Sequence, residues 1–266
     1  MPEPTPADLL ASVVAADPTR PLVTFYDDAT GERIELSGRT FANWVAKTAN
    51  LLVDGLDAEP GDRVALALPP HWQTAVWLMA CWSAGVVAVP VEAAGLGDVD
   101  ADVVVAAEAL LPQVPAETGA REVVGLSLHS LGAPLAAAPA GVVDYAADIR
   151  TYGDDFVPYA VTNPNEPALV VSNTTFTAAE LVDRGREMAL TWQLDAGSRI
   201  LTDLPFITLE GVLVTLLAPL TANSSVIILR NLDKAALDRR ISLEHVTAVA
   251  GVPGWDPGTG PVRRLL

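Results

Sequence analysis

Apolar residues recur along this chain in two alternating rhythms, one spaced by three and four positions and one of short unbroken runs. After Thr5-Pro6, which fits an N-cap and a first helical position, Leu9, Leu10, Val13 and Val14 form an apolar stripe. Residues 22–27 and 33–36 predict the strands of a hairpin around an Asp-Asp-Ala-Thr-Gly turn. Thr40 opens a helix that places Phe41, Trp44, Val45, Thr48, Leu51 and Leu52 on one face. The Pro60-Gly61-Asp62 turn leads into a strand over 63–68. A helix over 71–84 and a buried strand over 86–89 follow.

From 95 to 159 the rhythm loosens. Val-rich runs at 103–105, 123–126 and 142–143 are strand candidates, and the Ala-Pro stretch 133–140 reads as a surface loop. Regular alternation returns after Asn163-Pro164. It gives a strand over 168–171, a helix over 177–192, a strand over 199–202, a helical run over 209–217, and a strand over 225–229. A helix over 234–242 and a strand over 246–250 complete the series. Thr177 and Glu180 have capping-box spacing. Buried strands alternating with helices imply an α/β fold of mainly parallel sheets covered by helices. The expected organisation is two α/β subdomains, 1–160 and 161–266, packed as one compact unit.

Composition narrows the classes. The formal net charge of −17 opposes nucleic acid and anionic membrane, both of which reward Lys and Arg. The only lysines are Lys47 and Lys234. The stretch 72–91 is apolar, but Gln73, Thr74, Ser83, Gly85 and Pro90 interrupt it, so a buried helix and strand explain it better than a membrane span. The single cysteine, Cys81, reads as a buried thiol of a reducing compartment. The opening MPEPTPADLL lacks a basic n-region and a long apolar core, so no signal peptide is expected and the predicted location is cytoplasmic. Ala-rich, Lys-poor usage points to a high-GC bacterial source.

Several segments in order then resemble one superfamily. Thr40-Phe41 with its helix, Pro60-Gly61-Asp62-Arg63-Val64-Ala65, Leu68-Pro69, and Gly85-Val86-Val87-Ala88-Val89-Pro90 resemble the opening of acyl-CoA synthetases and related AMP-forming ligases. Leu204-Pro205-Phe206 through Gly211, Leu217-Ala218-Pro219-Leu220, and the run from Val246 to Val252-Pro253 resemble later stretches of the same enzymes. The resemblance implies the first two α/β subdomains of the synthetase N-terminal domain. It also places the family's phosphate loop, approximately Ser-Gly-Thr-Thr-Gly-x-Pro-Lys-Gly, at Ser172, Asn173, Thr174 and Thr175.

Here the chain departs from the pattern. Both glycines are lost, no lysine lies between Lys47 and Lys234, and the sequence predicts direct entry into the following helix. Glycines let backbone amides approach phosphates and a lysine supplies mobile charge, so the departures oppose polyphosphate binding of the family type. Asn173 can adopt a left-handed conformation, whereas Phe176 can do so only at cost. The resemblance further implies that the adenine and magnesium motif, the ribose-binding Asp, and the C-terminal domain with its catalytic lysine lie downstream of Leu266 and are absent.

Other chemistry is thin. His71, His129 and His245 are far apart and show no metal-ligand spacing, so no metal is expected. His71 reads as a capping or packing residue. No Gly-x-Ser-x-Gly elbow occurs. Trp44, Trp77 and Trp82 read as core, with Trp72 partly exposed. Ser172 to Thr175 admits two readings, a turn with a helix cap or a degenerate nucleotide-binding loop at a strand's carboxyl end. The functional expectation is a catalytically inactive relative that acts as a binding or interaction module, with no catalytic residue and no cofactor. Its candidate ligands are a small acyl or nucleoside compound, ATP, AMP or an acyl-adenylate. A purely structural homodimer or partner-binding scaffold and a residual synthetase activity are the alternatives.

Overall fold

Thr5 starts the first helix as its sequence position predicts. Its side chain accepts the Asp8 N–H while the Asp8 carboxylate accepts the Thr5 N–H at 2.8 Å, a reciprocal cap for α1 (Pro6–Ala16). The computed structural model describes residues 3–115, 118–129, 132–160 and 162–266. β1 (Pro21–Asp27) and β2 (Glu32–Ser37) form the predicted hairpin. Ser37, rather than Thr40, caps α2 (Gly38–Asn50), which runs on through a π-helical turn at Leu51–Gly55. β3 (Arg63–Ala67), α3 (Trp72–Ala84) and β4 (Val87–Pro90) follow. The looser stretch supplies β5 (Val103–Ala107), β6 (Glu122–Leu126), β7 (Val142–Asp144) and the short α4 (Tyr145–Asp148).

The second half contains β8 (Pro167–Val171), β9 (Thr174–Thr177), α5 (Ala178–Thr191), β10 (Arg199–Thr202) and α6 (Leu209–Val212). A π-helical turn at Leu213–Leu217 joins α6 to α7 (Ala218–Ala222). β11 (Ser225–Arg230), α8 (Lys234–Leu243), β12 (Ala248–Ala250) and β13 (Arg263–Arg264) complete the order.

Among the described residues the strands form two sheets, β13-β12-β10-β11-β1-β2 and β7-β6-β5-β3-β4-β8-β9. The β1–β2 and β8–β9 pairs are antiparallel and the other neighbours are parallel, so each sheet is a parallel array with one antiparallel edge strand. Each sheet also takes strands from both sides of residue 160: β1 and β2 join β10 to β13, and β8 and β9 extend β3 to β7. Hydrophobic patterning shows that a strand is buried but not which strand it pairs with, so this interleaving is a property of the tertiary structure.

Helix α3 packs against β1 of one sheet and against β3 and β4 of the other. That position explains its composition: every residue from Trp72 to Ala84 except Ser83 is buried. An amphipathic stripe would be useless to a helix with a sheet on either side. Leu78 and Met79 are fully buried here, and truncating such a residue to Ala costs about 2–5 kcal/mol. Polar atoms in this helix are tied down locally, with Thr74 Oγ1 donating to the Pro69 carbonyl at 2.7 Å and Ser83 Oγ to that of Met79 at 2.8 Å. Trp72 is also buried, against the expectation of partial exposure, because its ring meets that of Trp44 edge-on at 5.2 Å. No helix among the described residues is long and apolar enough to cross a membrane.

Candidate functional site

The carboxyl end of β8 is where the sequence places its candidate ligand loop. β8 and β9 are joined there by only Ser172 and Asn173, whose φ values are 49° and 60°. Two successive left-handed residues define a type I′ turn, whose twist suits a tight hairpin. The register pairs Val171 with Thr174, Val170 with Thr175 and Leu169 with Phe176. The chain therefore does not pass directly from β8 into its helix, as the sequence predicts; the strand β9 intervenes. The physical reason is Phe176, which is buried when the segment is extended. Thr177 stays extended too and caps α5: its hydroxyl oxygen accepts the Glu180 N–H at 3.2 Å, and the Glu180 carboxylate accepts the Thr177 N–H at 2.9 Å.

Ser172, Asn173, Thr174 and Thr175 come together at this turn and all four are exposed. Thr174 and Thr175 are held in register with β8, so their backbone is committed to a strand conformation. A cation near the hairpin is Arg184 of α5, whose guanidinium lies 5.2 Å from the centre of the Phe176 ring. A search for lysine passes over it. Its signal is its place in the second turn of the helix that Thr177 caps. A polyphosphate needs several converging amides and mobile cations. A two-residue turn flanked by paired strand residues does not fit that need.

The carboxyl end of the other sheet lies around β10 and β12. Leu204 donates its N–H to Thr202 Oγ1 at 3.2 Å, and Thr208 accepts the Gly211 N–H at 3.0 Å to cap α6. Gly211 is required there, because a Cβ would overlap the Pro205 carbonyl. Burial pushes the Asp203 carboxyl above its ordinary range, and the charge of Lys234 opposes the shift. Lys234 is exposed at the first residue of α8, whereas Lys47 is bound to Asp154 at 2.9 Å and to the Tyr152 carbonyl. Asp203 stands alone in Leu-Thr-Asp-Leu-Pro, so no spacing marks it in the sequence.

His71 is fully buried and caps α3, with Nδ1 accepting the Gln73 N–H at 3.2 Å and the ring meeting Phe25 edge-on at 4.3 Å. Burial, with the Arg230 charge adding to it, pushes its pKa down to about 3. The imidazole is thus neutral and serves capping and packing, as its place at the start of an apolar helix predicts. Burial also drives the Cys81 thiol far above its usual range, so it carries no thiolate at neutral pH. No group of residues with metal-binding composition occurs among the described residues.

Comparison with known proteins gives a consistent picture. The family model described as AMP-binding enzyme matches residues 10–144, a segment that stops before β8. A Mycobacterium tuberculosis protein described as a TIGR03089 family protein is 39% identical over 245 residues, which is 91% of this chain and 96% of that protein. A benzoate CoA ligase from Burkholderia xenovorans superposes with a TM-score of 0.74 at 17% identity, covering 94% of this chain and 50% of the ligase. An anthranilate CoA ligase in complex with anthranoyl-AMP gives 0.76 at 14% identity, covering 94% of this chain and 50% of that one. The N-terminal domain of FACL13 from Mycobacterium tuberculosis gives 0.75 at 18% identity, covering 94% of this chain and 63% of that chain. This chain therefore spans nearly all of the mycobacterial relative but only about half of the two ligases. At these identities the likeness to the solved structures is one of fold, the α/β N-terminal domain of acyl-CoA synthetases.

Proposed function

This chain belongs to the AMP-binding enzyme family, and on that premise we propose that it works as a binding or interaction module rather than as a ligase. The observation that carries the reading is the two-residue turn at Ser172 and Asn173, where the resemblance to the ligases calls for a glycine-rich loop with a lysine. Adenylate formation moves negative charge between phosphoryl and acyl oxygens, and enzymes lower that barrier with preorganised amides and cations. At this turn the candidate groups are hydroxyls, an amide side chain and one guanidinium seated on a phenyl ring. Such a set can hydrogen-bond a neutral ligand or a protein surface but supplies little stabilisation for transferred phosphate.

A calorimetric titration with Mg-ATP, followed by a non-hydrolysable acyl-adenylate mimic, tests the reading. The expected result is no saturable heat for Mg-ATP at millimolar concentration. Micromolar binding of Mg-ATP, or pyrophosphate exchange dependent on a carboxylic acid, would overturn it.

A further inference from the structure

The amino ends of β4 and β8 enclose a cavity of about 570 Å³. That volume lies within the range of small-molecule pockets. Val86 precedes β4 and Pro167 opens β8, so the cavity sits at the far end of these strands from the Ser172-Asn173 turn. Its inner wall is apolar, with Trp82, Ala84, Val86 and Ala168 all buried. Trp82 Nε1 already donates to the Ala168 carbonyl at 3.0 Å, which leaves the indole ring rather than its N–H to meet a ligand. Thr5 is also buried there, and its hydroxyl is committed to Asp8 at 2.8 Å. Gly85 ends α3 at φ 75°, and a Cβ at that position would stand 3.5 Å from Thr162 and 3.8 Å from Pro60, so two walls converge on it. The outer lip carries Tyr159, which is 85% exposed and donates its hydroxyl to Asp54 at 2.9 Å.

The charged residues that line the mouth have one sign, although Arg121 stands just outside it, donating to the Leu56 carbonyl at 3.1 Å. Asp57, Glu59 and Glu166 line it, and no Lys or Arg does among the described residues. From this juxtaposition of an apolar chamber and an acidic rim, we infer that the cavity binds a compact aromatic or aliphatic molecule without negative charge, and binds it better when it carries an ammonium group. Burial of the ligand's own apolar surface, together with that of the more exposed Phe156, Pro158 and Tyr159, supplies the affinity. The carboxylates select the sign of charge and oppose phosphates and carboxylates. The site is thus separate from the Ser172-Asn173 turn, and its test is independent of the Mg-ATP titration.

The experiment is a calorimetric comparison of three probes of similar shape: naphthylmethylammonium, naphthylmethanol and naphthoate. The ammonium and the alcohol are expected to bind, with naphthoate at least about tenfold weaker. In a Glu59→Lys/Glu166→Lys double variant, both changes being at exposed positions, the order of ammonium and naphthoate should reverse. Ala84→Leu, which fills the inner wall, should weaken all three by about tenfold or more while circular dichroism stays native. Failure of all three probes at millimolar concentration would overturn the inference. So would equal binding of the ammonium and naphthoate, or a charge order that the double variant leaves unchanged.

Discussion

The two antiparallel hairpins close one edge of each sheet, and they are held in different ways. β1–β2 is stitched to residues roughly two hundred positions away. Arg240 clasps Asp28 through both carboxylate oxygens, the Asp233 N–H donates to Asp28 at 2.7 Å, and Asn231 donates to Asp27 at 2.9 Å. Beside them Glu244 accepts from Arg199 at 2.6 Å, from Arg33 at 3.0 Å and from the Tyr26 hydroxyl. In β8–β9 the turn and the outer strand rest on neighbours in sequence, namely a left-handed pair at the turn, the buried Phe176 under Arg184, and the Thr177–Glu180 cap, while only β8 is tied inward, by β4 and by Trp82 Nε1. A hairpin fixed by distant charges is locked by the whole fold. One fixed locally can change its loop length without disturbing the sheet, and at β8–β9 that length decides what a ligand would meet.

The largest expected effect comes from cutting the distant anchor. Glu244→Ala leaves Arg199 without its closest carboxylate partner, where side-chain exposures are only 14% for Arg199 and 10% for Glu244. A loss of about 3 kcal/mol in urea denaturation is expected for such a pair; a loss below about 0.5 kcal/mol would mean the charges do not lock this hairpin. The same group sets an acid limit. Burial pushes Glu244 up, but hydrogen bonds from Arg33, Tyr26 and Arg199 outweigh it and hold the pKa at about 2. A depressed carboxylate stabilises the fold above its unfolded value and loses that contribution as pH falls from about 4.5 toward 2.

His71 supports β1 through Phe25 and should act at higher pH. Its folded pKa of about 3 lies below the ordinary histidine value of 6.5, so the unfolded chain binds the proton first and stability falls as pH drops below 6.5. Between pH 7.5 and 5 this amounts to about 2 kcal/mol. His71→Asn, which keeps a capping side chain, should remove that slope whatever it does to stability at neutral pH; a variant with the wild-type slope would refute the assignment.

At the locally held hairpin the effects are smaller. Thr177→Ala should cost about 1 kcal/mol by removing the cap of α5. Replacing Ser172-Asn173 by Asn-Gly should raise stability by up to about 1 kcal/mol, since that pair suits a type I′ turn. Destabilisation by the Asn-Gly pair, measured in the same urea series, would show that the turn holds its conformation through something other than its own backbone preferences.

Most elements were legible because their signals are local. The Thr5 and Thr177 caps, the β1–β2 turn, and the Val-rich buried strands each declare themselves within a few residues. The cost of a left-handed conformation was equally visible at Asn173, but β9 was not. Thr174 to Thr177 is too short to show alternation, and its strand character comes from pairing with β8 and from burying Phe176. Asp203, Arg184 and the acidic-rimmed cavity escaped for a related reason: each matters through a neighbour that the chain reaches only after folding.

The sequence by itself determined most of the helices and strands, most of their buried faces, and several caps and turns, because dihedral preference and hydrophobic periodicity act over a single turn or pleat. The tertiary structure decided which strands share a sheet, that α3 is covered by a sheet on either side, and that charges on α8 lock a hairpin from the other end of the chain. Those choices depend on closing loops of up to two hundred residues. The entropic cost of closure grows only slowly with loop length, so no local feature of the chain announces it.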